Sequence, residues 1–246
     1  GLRPRCAFAR LPEREGTVLS SVEVLFSDRH LIAVRKPGGL PAQADPTGDP
    51  HLLRLLAPAF PHDHALGLPH RLDRPVSGVI LVTRTKEALA AMSVLFQRRA
   101  VAKTYWSIVS GQPPESGVWE HALIHDTRNN KARVANDTSG PVARTSFRTL
   151  SRGDRYALVE LVPEGGRFHQ LRAQCAAAGF PIKGDVKYGA RRGEKDRTIA
   201  LHARSLAFRH PFTGEALHLE AEPPEGGLWR ALSGGGQRDV DPEMPV

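Results

Sequence analysis

Short runs of aliphatic and β-branched residues, broken by turn residues, recur along the whole chain. Residues 22–26 and 31–34 read as two strands, with Ser27-Asp28-Arg29-His30 as a hairpin turn and Arg35-Lys36-Pro37-Gly38-Gly39 as the stop. Asp49 is placed to cap a helix with Pro50 at its first position, carrying Leu52, Leu53, Leu55 and Leu56 inward. The uninterrupted apolar run 79–82 reads as a strand. Leu89, Met92, Leu95 and Phe96 then recur at helical spacing, which predicts a helix over 86–99 with Thr85 as its cap.

Further strands are predicted at 103–109, 142–149, 156–162, 205–209 and 215–220. A helix is expected from His169, with Leu171, Cys175 and Ala178 on its apolar side and Gly179 as a left-handed stop. Residues 111–136 read mostly as loop. Several strands follow one another without a crossover helix. That pattern predicts an α+β fold, a mixed and mainly antiparallel sheet with flanking helices and a central cleft. Residues 1–20 read as an arm, 21–222 as the catalytic domain, and the Gly- and Pro-rich 223–246 as a flexible tail.

Composition narrows the functional classes. The 34 basic residues outnumber 26 acidic ones, giving a net charge of +8, and only 7 of the basic residues are lysine. Arginine forks pair with phosphates and stack on bases, so the bias suits a polyanion partner; genome composition would produce the same bias. Two cysteines, Cys6 and Cys175, argue against a disulfide framework and for a reducing, cytoplasmic setting. No apolar run approaches membrane-spanning length. Motifs for nucleotide hydrolysis, dinucleotide binding and lipase-type hydrolysis are missing. The histidines, including His62-x-His64, lack the partner pattern of a metal site, and neither metal nor cofactor is expected.

One segment concentrates the candidate chemistry. In His70-Arg71-Leu72-Asp73-Arg74-Pro75-Val76-Ser77-Gly78, a carboxylate sits between two arginines in a tight turn at the mouth of the strand over 79–82. Positive neighbours keep such a group ionised, which suits a nucleophile; a capping role in the turn is the alternative. Arg167, in Gly165-Gly166-Arg167-Phe168-His169-Gln170-Leu171-Arg172, falls just before a helix start, where it either pairs with Asp73 or is a solvated loop charge. Lys103 and Tyr105 share one face of a strand, and Tyr105 is a base-stacking ring or a core-edge tyrosine. Residues 183–189 and 191–197 form a basic, turn-rich stretch, a phosphate contact or a solvated loop.

Taken in order, these motifs resemble the RluA-type pseudouridine synthases, over roughly residues 22–220. The resemblance rests on Leu31 to Leu40, on His70-Arg71-Leu72-Asp73 with Ser77-Gly78, on Lys103-x-Tyr105, and on Gly166 to Arg172 with Gly179 to Asp185 and Tyr188-Gly189. It implies Asp73 as the catalytic aspartate and Arg71 as an aid to extruding the target base. It further implies Tyr105 beside the uracil, Arg167 as the arginine paired with Asp73, and Leu171 packed near the ring. His70, Lys103 and His169 are expected to join Leu171 in binding substrate. Val76 stands where threonine is common, and Phe168 replaces the usual threonine of the Gly-Arg-Thr-His-Gln motif. The S4 RNA-binding domain found in many members has no room before the first strand.

The implied activity is isomerisation of uridine in structured RNA, ribosomal or transfer, without DNA, membrane or cofactor and by a monomer. A catalytically silent RNA-binding module and a glycosidase-like hydrolase using Asp73 are the alternatives.

Overall fold

The computed structural model describes residues 22–63, 65–135 and 140–234. The expected arm at 1–20, His64 and the end of the tail lie outside the described residues.

The frame is one broad sheet. Its strands are β1 (Glu23–Ser27), β2 (Leu31–Lys36), β3 (Ser77–Thr83), β4 (Ala102–Ser110), β5 (Ser116–Asp126), β6 (Lys131–Val134), β7 (Val142–Arg152), β8 (Tyr156–Pro163), β9 (Leu201–Arg209) and β10 (Ala216–Glu220). They run in the order β1-β2-β3-β9-β4-β8-β7-β5-β6, and β10 also pairs with β9. All pairings are antiparallel except β3 with β9. The mixed, mainly antiparallel sheet expected from the chain is therefore present. β3 is buried along its whole length, which is why its central run 79–82 is continuously apolar and does not alternate.

The parallel contact between β3 and β9 is made by two residue pairs, Ser77 with His202 and Gly78 with Ala203. Gly78 has φ +120°, and a Cβ there would lie 2.3–2.7 Å from the Ala203 backbone, so only glycine permits this approach. Ser77 Oγ lies 2.8 Å from His202 Nδ1, while His202 Nε2 lies 2.9 Å from the Ala221 carbonyl. With Nε2–H donating to that carbonyl, Nδ1 accepts from the serine. The start of β3, which follows Asp73 directly, is thus locked to β9.

Among the described residues, four α-helices pack around the sheet: α1 (Leu52–Leu56), α2 (Lys86–Gln97), α3 (Gln170–Ala177) and α4 (Gly227–Ser233). α2 starts where expected, with Thr85 Oγ1 accepting from Ala88 N–H. α1 starts later than Pro50. His51 caps it, and Asp49 pairs instead with Arg74.

Two further expectations are corrected. The supposed loop at 111–136 contains β5 and β6; only Trp119 and Leu123 of β5 are buried, so its polar edge hid the strand pattern. The tail does not fray at once. α4 buries Leu232, packs Leu228 and Trp229 on the core, and offers the Leu232 carbonyl to Ser151 Oγ.

Candidate active site

Asp73 sits in a turn closed by Val76 N–H donating to its own carbonyl at 3.0 Å. Buried Leu72 and Val76 anchor the turn on either side. Lys36, at the end of β2, braces it from below. Its side chain is fully buried, and Nζ donates to the carbonyls of Pro37, Leu40 and Arg74 at 3.0, 2.8 and 3.3 Å. Burial pushes the Lys36 amine down to about 7; the Asp73 charge opposes that shift and Arg74 adds to it. The sequence marks Lys36 only as part of a strand stop, so its role was missed.

The cation that holds Asp73 is Arg172, not Arg167. Arg172 Nη1 donates to Asp73 Oδ2 at 3.2 Å, while Nε and Nη2 donate to Asp185 Oδ2 and Oδ1 at 2.7 and 2.8 Å. Asp185 is 1 % exposed and the Arg172 side chain 7 %, against 30 % for Asp73. One guanidinium thus joins a carboxylate sealed in the interior to one that reaches the surface, and the fixed fork geometry makes arginine suited to the task. Arg167 is exposed and lines the same cleft, but among the described residues its side chain makes no ion pair. A position just outside the helix places its side chain in solvent, whereas Arg172, one turn inside α3, points at the core.

Arg74 makes no ion pair with Asp73 either. Its side chain turns to Asp49, Asp45 and the Gly39 carbonyl.

The cleft over Asp73 is open, with a volume of about 100 Å³, and Asp73 is the one carboxylate among its lining residues. Val76, Tyr105, Leu171 and Leu201 supply apolar walls; Arg71, Arg167 and Arg172 supply positive charge. Among the described residues, Asp73 Oδ1 accepts no hydrogen bond and is free to act. Tyr105 lines the cleft. Burial, with Asp73's charge behind it, pushes the Tyr105 hydroxyl well above the ordinary range, so the ring is neutral. Lys103 does not line the cleft. Its ammonium donates to the Gly165 carbonyl and supports the Gly165–Gly166 wall from behind.

His70 is also displaced from its expected role. Its Nε2 accepts from Leu81 N–H at 3.0 Å and its ring stacks on Phe96 at 4.5 Å, so it fixes the turn to β3 and does not line the cleft.

His169 begins α3 in a left-handed conformation, φ 50°, which turns its ring back toward Asp73. Its Nε2 lies 3.1 Å from Arg172 Nη1 and 3.4 Å from Asp73 Oδ2. Its Nδ1 lies 2.8 Å from the Tyr188 hydroxyl. Phe168 stacks on the His169 ring at 3.8 Å and packs against His125 at 4.3 Å.

In the stretch 183–189, Asp185 and Tyr188 fold inward while Val186 and Lys187 stay exposed. No composition signal distinguishes a buried aspartate from a turn aspartate here. Among the described residues, no three His, Cys, Asp or Glu side chains gather as a metal-binding group, and no helix is long and apolar enough to cross a membrane.

Three histidines around this site make stability pH-dependent. Burial pushes His70 down to about 3, with Lys103 adding to it; burial and Arg172 push His169 to about 3; burial pushes His202 to about 4. The unfolded chain therefore binds more protons than the native state between these values and pH 6.5. The neutral rings' contribution is complete above pH 6.5 and is lost as pH falls. Each proton contributes about 1.4 kcal/mol per pH unit, so the three together remove about 4–6 kcal/mol between pH 6.5 and 5. Urea unfolding at pH 7 and pH 5 should show this fall; equal stabilities would show that these rings do not stay neutral.

The family model described as RNA pseudouridylate synthase matches residues 30–177. Ribosomal large subunit pseudouridine synthase C of Escherichia coli O157:H7 is 32% identical over 219 residues, covering 85% of this chain and 68% of that protein. tRNA pseudouridine synthase C of Salmonella typhimurium is 31% identical over 242 residues, covering 90% and 93%. The chain spans 58% of the length of tRNA pseudouridine synthase C from Pectobacterium carotovorum, to which it is 30% identical. Among solved structures, human RNA Pseudouridylate Synthase Domain Containing 4 superposes with a TM-score of 0.68 at 28% identity, covering 82% of this chain and 88% of that one. The match spans the Asp73 turn, β4 and all of α3, and the chain belongs to the RNA pseudouridylate synthase family.

Proposed function

We propose that this chain isomerises uridine to pseudouridine in structured RNA, with Asp73 as the catalytic carboxylate. The observation that carries the reading is the state of that carboxylate: one oxygen is pinned by Arg172, and the other is bare at the floor of a cleft with room for a single flat ring. A carboxylate so held against the sugar C1′ stabilises the positive charge that develops as the N1–C1′ bond breaks. The detached uracil turns between Tyr105 and Leu171, its C5 joins C1′, the C5 proton leaves to solvent and N1 takes one up. The product is an isomer, so the atoms balance without a co-substrate.

Tyr105 acts as a neutral stacking ring that also offers a hydrogen bond. Leu171 packs on the other side of the base. Arg71 and Arg167, exposed at the rim, suit phosphate contacts and occupation of the space left by the extruded nucleotide. Relatives named for ribosomal and for transfer RNA match at similar identity, which supports one of those two RNA classes as substrate. A cytoplasmic setting is consistent with the buried, unpaired Cys175 thiol.

RNA carrying tritium at the uridine C5 tests the reading. Incubation with the protein should release tritium to water in step with pseudouridine formation. Release of free uracil would mark a hydrolase, and salt-dependent RNA binding without either product would mark a silent binding module.

A further inference from the structure

The β5–β6 hairpin reaches the catalytic carboxylate through an unbroken chain of contacts. Ala132 N–H, in β6, donates to the Tyr188 hydroxyl at 2.8 Å. That hydroxyl meets His169 Nδ1 at 2.8 Å, His169 Nε2 meets Arg172 Nη1 at 3.1 Å, and Arg172 Nη1 donates to Asp73 Oδ2 at 3.2 Å. The hairpin is tied to the same point from two other sides. Lys131 Nζ lies 4.7 Å from the Tyr188 ring centre, and Lys187 Nζ donates to the Asn130 carbonyl at 2.7 Å.

Proton accounting fixes the sense of the relay. Arg172 keeps its protons, so His169 Nε2 faces a donor and must accept. The neutral ring then carries its proton on Nδ1 and donates it to the tyrosine oxygen. Without that oxygen, the proton is free to move to Nε2, where it opposes Arg172 and addresses Asp73 Oδ2 at 3.4 Å instead. The tyrosine hydroxyl therefore selects the imidazole tautomer that leaves the arginine on the aspartate. Arg128, in the turn that joins β5 to β6, and Arg133, in β6, are exposed.

We propose that Tyr188 is a positioning residue through which the β5–β6 hairpin sets the Asp73 carboxylate, so that RNA phosphate gripped by Arg128 and Arg133 is registered at the reacting group. The proposal rests on the assignment of Asp73 above. Neither Tyr188 nor His169 needs to touch the uridine for this.

Tyr188→Phe keeps the ring and removes only the oxygen. In single-turnover tritium release it should slow the chemical step at least tenfold while the RNA concentration for half-maximal rate changes less than twofold. In an Arg128→Ala/Arg133→Ala background, the further effect of Tyr188→Phe on that step should shrink, because both changes act on one path. A purely structural tyrosine would lower the melting temperature and leave the rate per folded molecule unchanged, which overturns the proposal.

Should Tyr188→Phe fail to fold, ¹⁵N spectra of histidine-labelled wild type still decide. His169 must carry its proton on Nδ1, and a proton on Nε2 overturns the relay. Wild type that releases no tritium would defeat the isomerase reading on which the proposal rests; the tautomer reads the network independently of it.

Discussion

Asp73→Asn should reduce tritium release from C5-labelled RNA by at least about a thousandfold, because the amide neither attacks nor stabilises a cationic sugar carbon as a carboxylate does. Folding should survive. The side chain is 30 % exposed, and an amide oxygen can still accept from Arg172 Nη1, so the stability change should stay within about 1 kcal/mol. Loss of activity with an unchanged urea midpoint and unchanged RNA affinity would place the defect in the chemical step. Retention of more than a tenth of the wild-type rate would sink the role given to this residue. Asn is the useful substitution because it preserves shape; alanine would also free Arg172 and confuse the two effects.

How the aspartate was legible, and its partner was not, follows from the range of the forces involved. β3 announces itself because a strand buried on both faces must be continuously apolar, and the turn before it needs only local residues to be recognised. α2 is legible for the same reason, its cap and apolar stripe lying within one short segment. Arg172 carries no such local sign. Helical spacing assigns Leu171 and Cys175 to the interior and sends charges outward, yet α3 also buries Gln170, Arg172 and Gln174.

Each of those polar groups is satisfied by a residue distant in sequence. Gln170 and Gln174 bond to β7, where Thr145 Oγ1 is shared between them, and Arg172 bonds to Asp185 and Asp73. Burial of a polar side chain depends on that tertiary pairing, which periodicity does not encode. The apolar pattern named the right helix start, but the resemblance to known synthases paired Asp73 with the arginine five residues too early. α4 was overlooked for the opposite reason: its apolar signal, Leu228, Trp229 and Leu232, is present but lies among Gly and Pro that read as tail.

Arg172→Leu should destabilise the fold by about 3–5 kcal/mol, since it leaves Asp185, 1 % exposed, as an uncompensated charge in the interior. It should also abolish activity, because Asp73 loses the group that orients it. The double variant Arg172→Leu/Asp185→Leu removes both buried charges, and its stability should return to within about 2 kcal/mol of wild type. Its activity should not return. Arg172→Lys tests geometry separately from charge: one ammonium cannot reproduce the fork that serves Asp185 Oδ1, Asp185 Oδ2 and Asp73 Oδ2 together, so activity should fall although the charge remains. Urea unfolding and tritium release on the three variants separate stability from catalysis. If the double variant were both stable and active, the arginine would be merely structural, and Asp73 would hold its position by the turn and Lys36 alone.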